Sequence, residues 1–246
     1  MKTSYHSHTR WCKHADGEIE DYVKKAIELN LEMFAICDHV FNDIPLGPRA
    51  PWSEYDAYLE NLKQVEAKYE NQIELQRSIE AEYYPELMER YQTMKEKDHF
   101  AVWILGQHES SDHQMDFFKN SDDIANKLER YTEDVIEALE TGFFNILAHP
   151  DLFMMYYTKP DKHFLECMDR IFRVCEKNNV VIEINANGIR GHKHYPNREV
   201  FELSKKYNLR YIISSDAHNP EFLYDDAMRK AEEFADDLKL NVINRL

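Results

Sequence analysis

The chain has 246 residues, with 30 Lys and Arg against 46 Asp and Glu, a formal charge of −16. A surface of that sign repels phosphate backbones and anionic lipid, which excludes non-specific nucleic-acid binding and anionic-membrane docking. The 43% hydrophobic content and the length suit one domain over residues 1–246, a size at which α/β barrels occur. Cys12, Cys37, Cys167 and Cys175 form no CxxC pair and read as free thiols of a reducing compartment. No signal-type apolar run opens the chain and no stretch reaches 18 apolar residues, so the expected location is cytoplasmic, without a membrane partner.

Short apolar runs alternate with longer amphipathic segments, the pattern of repeated βα units. Tyr5–Thr9 is the first strand candidate, and residues i and i+2 of a strand share a face, so His6 and His8 converge. A helix is predicted over about Glu18–Asn30, then a strand Met33–Cys37 ending on Asp38-His39. A loop with Pro45, Pro48 and Pro51 leads to Ser53, read as the cap of a helix to about Tyr69, with Asp56 in the capping-box place. The third run is Ile73–Tyr83, with Glu80 towards its end; a helix over Glu86–Lys97 precedes the fourth, Ala101–Gly106, which ends on His108. Glu109–Asn120 reads as a loop, and a helix from about Asp122 to Glu140 stops at Gly142. The fifth run, Phe143–Ala148, ends on His149-Pro150. A helix over Lys162–Asn178 leads to the sixth, Val180–Ile184, which ends in the loop Asn185-Ala186-Asn187-Gly188. A helix near Asn197–Tyr207 precedes the seventh, Tyr211–Ile213, and Asn219 then caps a final helix with Pro220 in its first position. Seven runs joined by helices favour a parallel barrel; a doubly wound open sheet is the alternative, and no Gly-rich phosphate loop supports it.

The placement of the histidines and carboxylates carries the functional signal. His39, Glu80, His108, His149, Asp216 and His218 each fall at or just past the end of a run, with His6 and His8 in the first strand and His14 and Asp16 in the first loop. An α/β barrel builds its active site from the C-terminal strand ends, so these side chains share one mouth. Each alone has a structural explanation; their joint placement does not. Cys12 lies near enough to be a ligand but reads as a neighbouring thiol. His99, His113 and His163 lack this placement and read as surface residues, and His192 and His194 stay ambiguous.

These residues carry a resemblance. His6-Ser7-His8-Thr9 with His14, Cys37-Asp38-His39, Ile79-Glu80-Ala81-Glu82, Leu105-Gly106-Gln107-His108, Ala148-His149-Pro150-Asp151 and Ser215-Asp216-Ala217-His218 are similar, in order, to the polymerase and histidinol phosphatase (PHP) family. Glu183–Arg190 and Tyr195-Pro196 are most like its histidinol-phosphate phosphatases, and nothing here resembles a polymerase. The resemblance implies a distorted seven-stranded, TIM-like (β/α) barrel and three divalent metal ions. By motif, His6, His8, Glu80 and Asp216 would hold the first ion. Glu80 would bridge to a second, completed by His108 and His149. His14, or Asp16 in its place, would join His39 and His218 around the third. Such ligands suit Zn, Mn or Fe.

The implied activity is metal-dependent hydrolysis of a small phosphate ester, most simply L-histidinol phosphate to L-histidinol and phosphate, as a step of histidine biosynthesis. Another small phosphoester (a sugar phosphate or nucleotide) is the alternative substrate, and a non-catalytic metal-binding regulatory module the remote one. Phosphate-ester hydrolysis needs a nucleophile at neutral pH and compensation of phosphoryl charge, both of which a pair of cations roughly 3.5–4 Å apart supplies. Glu80 and Asp216 are the catalytic carboxylates by motif. Arg190 is expected to clamp phosphoryl oxygens with its planar fork, Lys193 and His194 are weaker candidates, and Asp151 and Asn187 would orient ligands. His194 or a water on a metal would protonate the leaving group. One departure bears on the substrate: close histidinol phosphatases tend to carry basic residues after His149-Pro150-Asp151-Leu152, where this chain reads Phe153-Met154-Met155-Tyr156-Tyr157.

Overall fold

The computed structural model describes residues 2–44, 49–119 and 122–246. Pro45 and Pro48 of the predicted Pro-rich loop, and Asn120 at the end of the long polar loop, lie outside them. Seven parallel strands run in chain order across one sheet: β1 (Thr3–Ser4), β2 (Met33–Ile36), β3 (Glu74–Ala81), β4 (Val102–Leu105), β5 (Ile146–Leu147), β6 (Val181–Asn185) and β7 (Tyr211–Ser214). Helices join them: α1 (Ile19–Glu28), α2 (Tyr55–Tyr69), α3 (Met88–Lys97), α4 (Ile124–Glu140), α5 (Lys162–Asn178), the short pair α6 (Ala186–Arg190) and α7 (Arg198–Ser204), and after β7 α8 (Asp226–Leu238).

The period of two along each strand separates two cores. Phe34, Ile36, Trp103, Leu105, Ile182 and Ile184 pack outward under the helices. Met33, Ala35, Val102, Ile104, Val181 and Ile212 fill the barrel interior. Towards the C-terminal ends, the inward positions turn polar: Ser78 and Glu80 on β3, Glu183 and Asn185 on β6, all buried. An apolar floor therefore carries a polar upper layer, and the second is where the chemistry lies.

The seam between β1 and β7 explains the distortion. Near the mouth the two edges meet beyond their ladders: His8 N donates to the Ala217 carbonyl at 2.7 Å and Asp216 N to the His6 carbonyl at 3.1 Å. Lower down the C-terminal tail takes the place of β1, with Tyr211 N on the Asn241 carbonyl at 3.0 Å and Ile243 N on the Tyr211 carbonyl at 2.8 Å. The first strand is Thr3–Ser4, ahead of the predicted Tyr5–Thr9, which keeps only a single bridge, Ser7 to Ala217. Its ladder ends at Ser4, and Thr9 turns the chain into a 3-10 segment, Arg10–Cys12, by accepting from Trp11 N.

Other boundaries move for local reasons. Ser53 does not cap α2; it lies in a 3-10 turn, Trp52–Glu54, that feeds the helix. The β5 ladder shrinks to two residues because the Asn145 side chain, at 2.8 Å, accepts the Trp103 N–H in place of a backbone carbonyl. Asn185-Ala186-Asn187-Gly188 is the start of α6 rather than a loop, since the Asn185 carboxamide caps Asn187 N at 2.8 Å. Asn219 and Pro220 open a 3-10 turn, Pro220–Leu223, and Asp225 caps the last helix instead.

Candidate metal centre

Four side chains meet where the upper layer opens. His6 and His8, extended and two residues apart, bring their Nε2 atoms to 3.0 Å of each other. Glu80 Oε2 lies 3.4 Å from His6 Nε2 and 3.3 Å from His8 Nε2. Asp216 Oδ1 lies 3.7 and 3.2 Å from the same two atoms. On the other side Glu80 turns Oε1 to His149 Nε2 at 3.1 Å and to His108 Nε2 at 3.6 Å. Glu80 is thus the shared member of two donor clusters.

The outer histidines lie together at the rim, and His39 also reaches inward. His39 Nδ1 faces Glu80 Oε2 at 3.0 Å, and the donors of His8, His39 and Glu80 form a cluster. His14 and His218 stack towards the rim, ring centres 4.8 Å apart, with His14 5.2 Å from His39. Their Nδ1 atoms are taken by the carbonyls of Cys12 and Asp216, at 2.8 and 3.1 Å, so each presents Nε2. Asp16 is exposed and outside the cavity lining.

Buried carboxylates orient the ligands from behind. Glu183 accepts from His6 Nδ1 at 2.7 Å, and its other oxygen accepts from His149 N at 2.9 Å and Asn185 Nδ2 at 2.8 Å. Glu82 accepts from His108 Nδ1 at 2.7 Å and pairs with Arg49. Such carboxylate–histidine contacts fix the ring's tautomer and raise its basicity as a ligand. Asp216 Oδ2 accepts from Asn185 Nδ2 at 3.1 Å and Asn187 Nδ2 at 3.2 Å, leaving Oδ1 without a hydrogen bond. Asp151 does not reach the ligands; it accepts from Asn197 N at 2.6 Å. Neither Glu82 nor Glu183 had a role in the sequence reading. The signal available was their spacing, two residues after Glu80 and two before Asn185, which puts them on the inward face.

The electrostatics suit a cation. Burial works to raise Glu80 and Asp216, yet the facing histidines, His39 and His6 for Glu80 and His6 and His8 for Asp216, hold both well below the usual carboxylate range. Burial and the Arg49 charge push His39 well down, and burial with His8 pushes His218 to about 4. The carboxylates stay ionised and the outer imidazoles neutral, while at His6, His8 and His149 burial is outweighed by the facing carboxylates, which raise them, so a cation bound here would displace protons from the inner rings.

Donor spacing tests the fit. A tetrahedral ion 2.0–2.2 Å from N and O ligands sets its donors about 3.3–3.6 Å apart. The separations of His6 and His8 from each other and from Glu80 and Asp216 run from 3.0 to 3.7 Å. The vacant lone pair of Asp216 Oδ1 points at the same space. His149 and Asp216 also hold positive φ angles of 28° and 44°, backbone strain of the kind kept at functional sites. These residues fit divalent ions. Chelation is accordingly expected to lower Tm by about 5 °C or more, reversed by added zinc or manganese, because an ion at 100 times its Kd contributes about 2.7 kcal/mol. Differential scanning fluorimetry with and without EDTA reads this out; an unchanged Tm would count against the centre.

The sequence pattern of the PHP domain matches residues 4–187. The chain belongs to the PHP family. It is 23% identical to a protein of Schizosaccharomyces pombe named probable histidinol-phosphatase, over 89% of this chain and 81% of that one. It is also 23% identical to a probable phosphatase of Acetivibrio thermocellus, over 87% and 78%. The fold superposes with TM-score 0.78 on the histidinol phosphate phosphatase of Lactococcus lactis, solved with zinc, L-histidinol and phosphate, at 15% identity over 98% of this chain and 95% of that one.

Around the PHP ligands the mouth is a cavity of about 400 Å³. Its cationic wall differs from expectation. Arg190 is absent from the lining, because α6 turns its guanidinium back onto Asp225, at 2.8 Å, and the carbonyls of Ser215 and Phe222, at 3.0 and 3.2 Å. It also reaches Asn187 Oδ1 at 3.3 Å, holding the amide that holds Asp216. His194 is exposed and likewise outside the lining. The predicted Lys193 does face the cavity, joined by Arg49 and Lys119. Arg49 lies on a loop between β2 and α2, without a strand-end position to mark it, and sequence reasoning missed it.

Glu109, Asp116, Phe118, Leu152, Tyr195 and the predicted Asn187 complete the lining. Burial and the Glu82 charge push Glu109 up to about 8, and it accepts from Tyr84 OH. Past Leu152, the aromatic stretch forms no cavity wall. Phe153 and Met154 are buried, and Phe153 packs on Tyr131 and Phe117 at ring distances of 5.1 and 5.5 Å.

Proposed function

We propose that this PHP protein is a metal-dependent phosphomonoesterase, with L-histidinol phosphate as its foremost substrate. The observation that carries the reading is the convergence of His8, His108, His149, Glu80 and Asp216 in a cavity whose wall presents Arg49, with His6 buried directly behind Glu80 and Asp216. Up to three divalent ions, when bound, supply Lewis acidity towards phosphoryl oxygens and acidify water. His6, His8, Glu80 and Asp216 would hold one, Glu80, His108 and His149 would hold a second, and His14, His39 and His218 would hold one at the rim. Arg49 is held by Glu82 with its guanidinium at the cavity wall, where a planar fork matches phosphoryl oxygens. Lys193 and Lys119 add positive charge at the entrance. Phe118 and Leu152 close off water beside the leaving group. Arg190 is a positioning residue that acts through Asn187 on Asp216. The relatives' names and the ligands of the Lactococcus lactis structure support L-histidinol phosphate. The apolar Phe153–Tyr157 stretch, in place of basic residues, supports a second reading, another small phosphomonoester.

A screen of small phosphoesters under zinc, manganese or iron tests the class. Release of inorganic phosphate from L-histidinol phosphate above all others is the expected result. Preference for a sugar phosphate or nucleotide selects the second reading, and no turnover of any phosphomonoester overturns both. Within the site, Arg49→Ala is expected to cut kcat/KM by roughly 10–100-fold, about 1.4–2.7 kcal/mol. Arg190→Ala instead lowers Tm together with a smaller loss of activity, since charged hydrogen bonds contribute about 1.5–3 kcal/mol. Steady-state kinetics and melting of both variants check the assignment; the reverse ranking would restore Arg190 to the phosphate.

A further inference from the structure

A second group of ligating side chains lies on the outside of the barrel, between α4 and α5. His163 and Cys167 stand four residues apart on α5 and therefore share a helix face. Glu129 of α4 meets them. Cys167 Sγ is 3.5 Å from Glu129 Oε2 and 3.9 Å from His163 Nε2, and His163 Nε2 is 3.9 Å from Glu129 Oε2. Three different donor atoms thus occupy a triangle with edges of 3.5–3.9 Å. A tetrahedral zinc ion, with Zn–S of about 2.3 Å and Zn–N or Zn–O of about 2.0–2.2 Å, needs edges of about 3.3–3.6 Å. Closure by a few tenths of an ångström at the half-exposed His163 reaches that size.

The surroundings favour an ion in this triangle. Arg170 pairs with the other carboxylate oxygen of Glu129, Oε1, which leaves Oε2 on the side of the sulfur. All three donors line one open surface groove, so an ion reaches them from solvent and keeps a fourth position for water. The donor set also differs from that of the central cavity, whose clustered donors at Glu80 are nitrogen and oxygen. A sulfur–imidazole–carboxylate set selects borderline-soft ions over magnesium, calcium or manganese.

We propose that Glu129, His163 and Cys167 form a separate binding site for a thiophilic divalent cation, of which Zn²⁺ is the type, clamping α4 to α5. On binding, the Cys167 S–H proton leaves to solvent as the sulfur–metal bond forms; nothing is oxidised or reduced. The site is independent of phosphatase activity, so neither proposal falls with the other.

Cobalt(II) is the probe. Full-length wild-type protein titrated with Co²⁺ is expected to develop a near-ultraviolet thiolate-to-cobalt charge-transfer band, which nitrogen and oxygen ligands in the central cavity do not produce. Cys167→Ser should abolish the band and His163→Gln should weaken it at least tenfold in apparent affinity, while elemental analysis of the zinc-loaded proteins falls by one ion per chain in each. Cys167 is buried, so His163→Gln, at a half-exposed position, supplies the variant least able to disturb packing. Cys12 lies in a donor cluster with His8 and Asp38, so the band assigned to this site is the part lost in Cys167→Ser; no band in the wild type, or a band undiminished by Cys167→Ser, overturns the site, and so does an unchanged zinc content in His163→Gln.

Discussion

Asp216→Asn is expected to slow hydrolysis of p-nitrophenyl phosphate by roughly 10³-fold, about 4 kcal/mol of barrier, with the fold retained. The reasoning starts from the two oxygens of this carboxylate, which have separate tasks. Oδ2 is spent on Asn185 and Asn187, and Oδ1 faces His6, His8 and the ion position. Asparagine has nearly the same shape and tolerates the left-handed backbone that this residue adopts, at φ 44°. It cannot, however, offer two acceptor oxygens. Either it keeps the bonds from the two asparagines and points an amide N–H at the ion, or it turns its oxygen inward and sets two amides against each other. Both outcomes weaken the ion's hold. Metal content per chain and kcat, measured together on one preparation, check this. Turnover within tenfold of wild type would remove Asp216 from the ligand set.

Gly106→Ala is expected to cost at least about 100-fold in kcat and to lose metal, although the change adds a single methyl group. A Cβ at residue 106 would lie 1.9 Å from Glu80 Oε1 and 2.6 Å from Glu80 Cδ. The carboxylate has nowhere to retreat. It is buried, with Oε1 set between His149 and His108 and Oε2 among His6, His8 and His39. Moving it disturbs both donor clusters at once. Gly142→Ala is the matching control, because Gly142 has open space around a Cβ but holds φ 67°. That substitution should destabilise by about 1 kcal/mol and leave kcat unchanged. Activity and Tm of the pair separate a glycine kept for space from one kept for its backbone angle. A Gly106→Ala enzyme with wild-type kcat would show that Glu80 can shift without consequence.

The two cases mark what was legible in the chain. Asp216, Glu80 and the seven histidines with them were visible because an α/β barrel delivers strand ends to one mouth: His39, Glu80, His108, His149, Asp216 and His218 fall at or past the end of a run, and His6, His8 and His14 fall in the first run and its loop. The βα alternation was readable for the same reason: burial on both faces leaves continuous apolar strands between amphipathic helices. Strand ends were less legible. Past Ser4 the first segment leaves the β2 ladder and bonds instead to the extension of β7 at Asp216 and Ala217, more than 200 residues away. Gly106 was quoted in a motif, but its role depends on the neighbouring strand's side chain.

Histidine and carboxylate types at successive strand ends, together with the period-two and helical patterns, were enough by themselves to favour the barrel over an open sheet and to mark the mouth where the candidate ligands meet. Those properties are carried by local spacing, and local spacing survives without knowledge of distant contacts. The direction of each long cation was decided by tertiary structure alone. Arg190 carries a family-like motif but is drawn away by Asp225 of the α8 cap, while Arg49, from an unmarked loop, is drawn to Glu82 at the cavity wall. A flexible guanidinium goes to whichever buried carboxylate is nearest after folding, and that distance is not written in either residue's neighbourhood in the sequence.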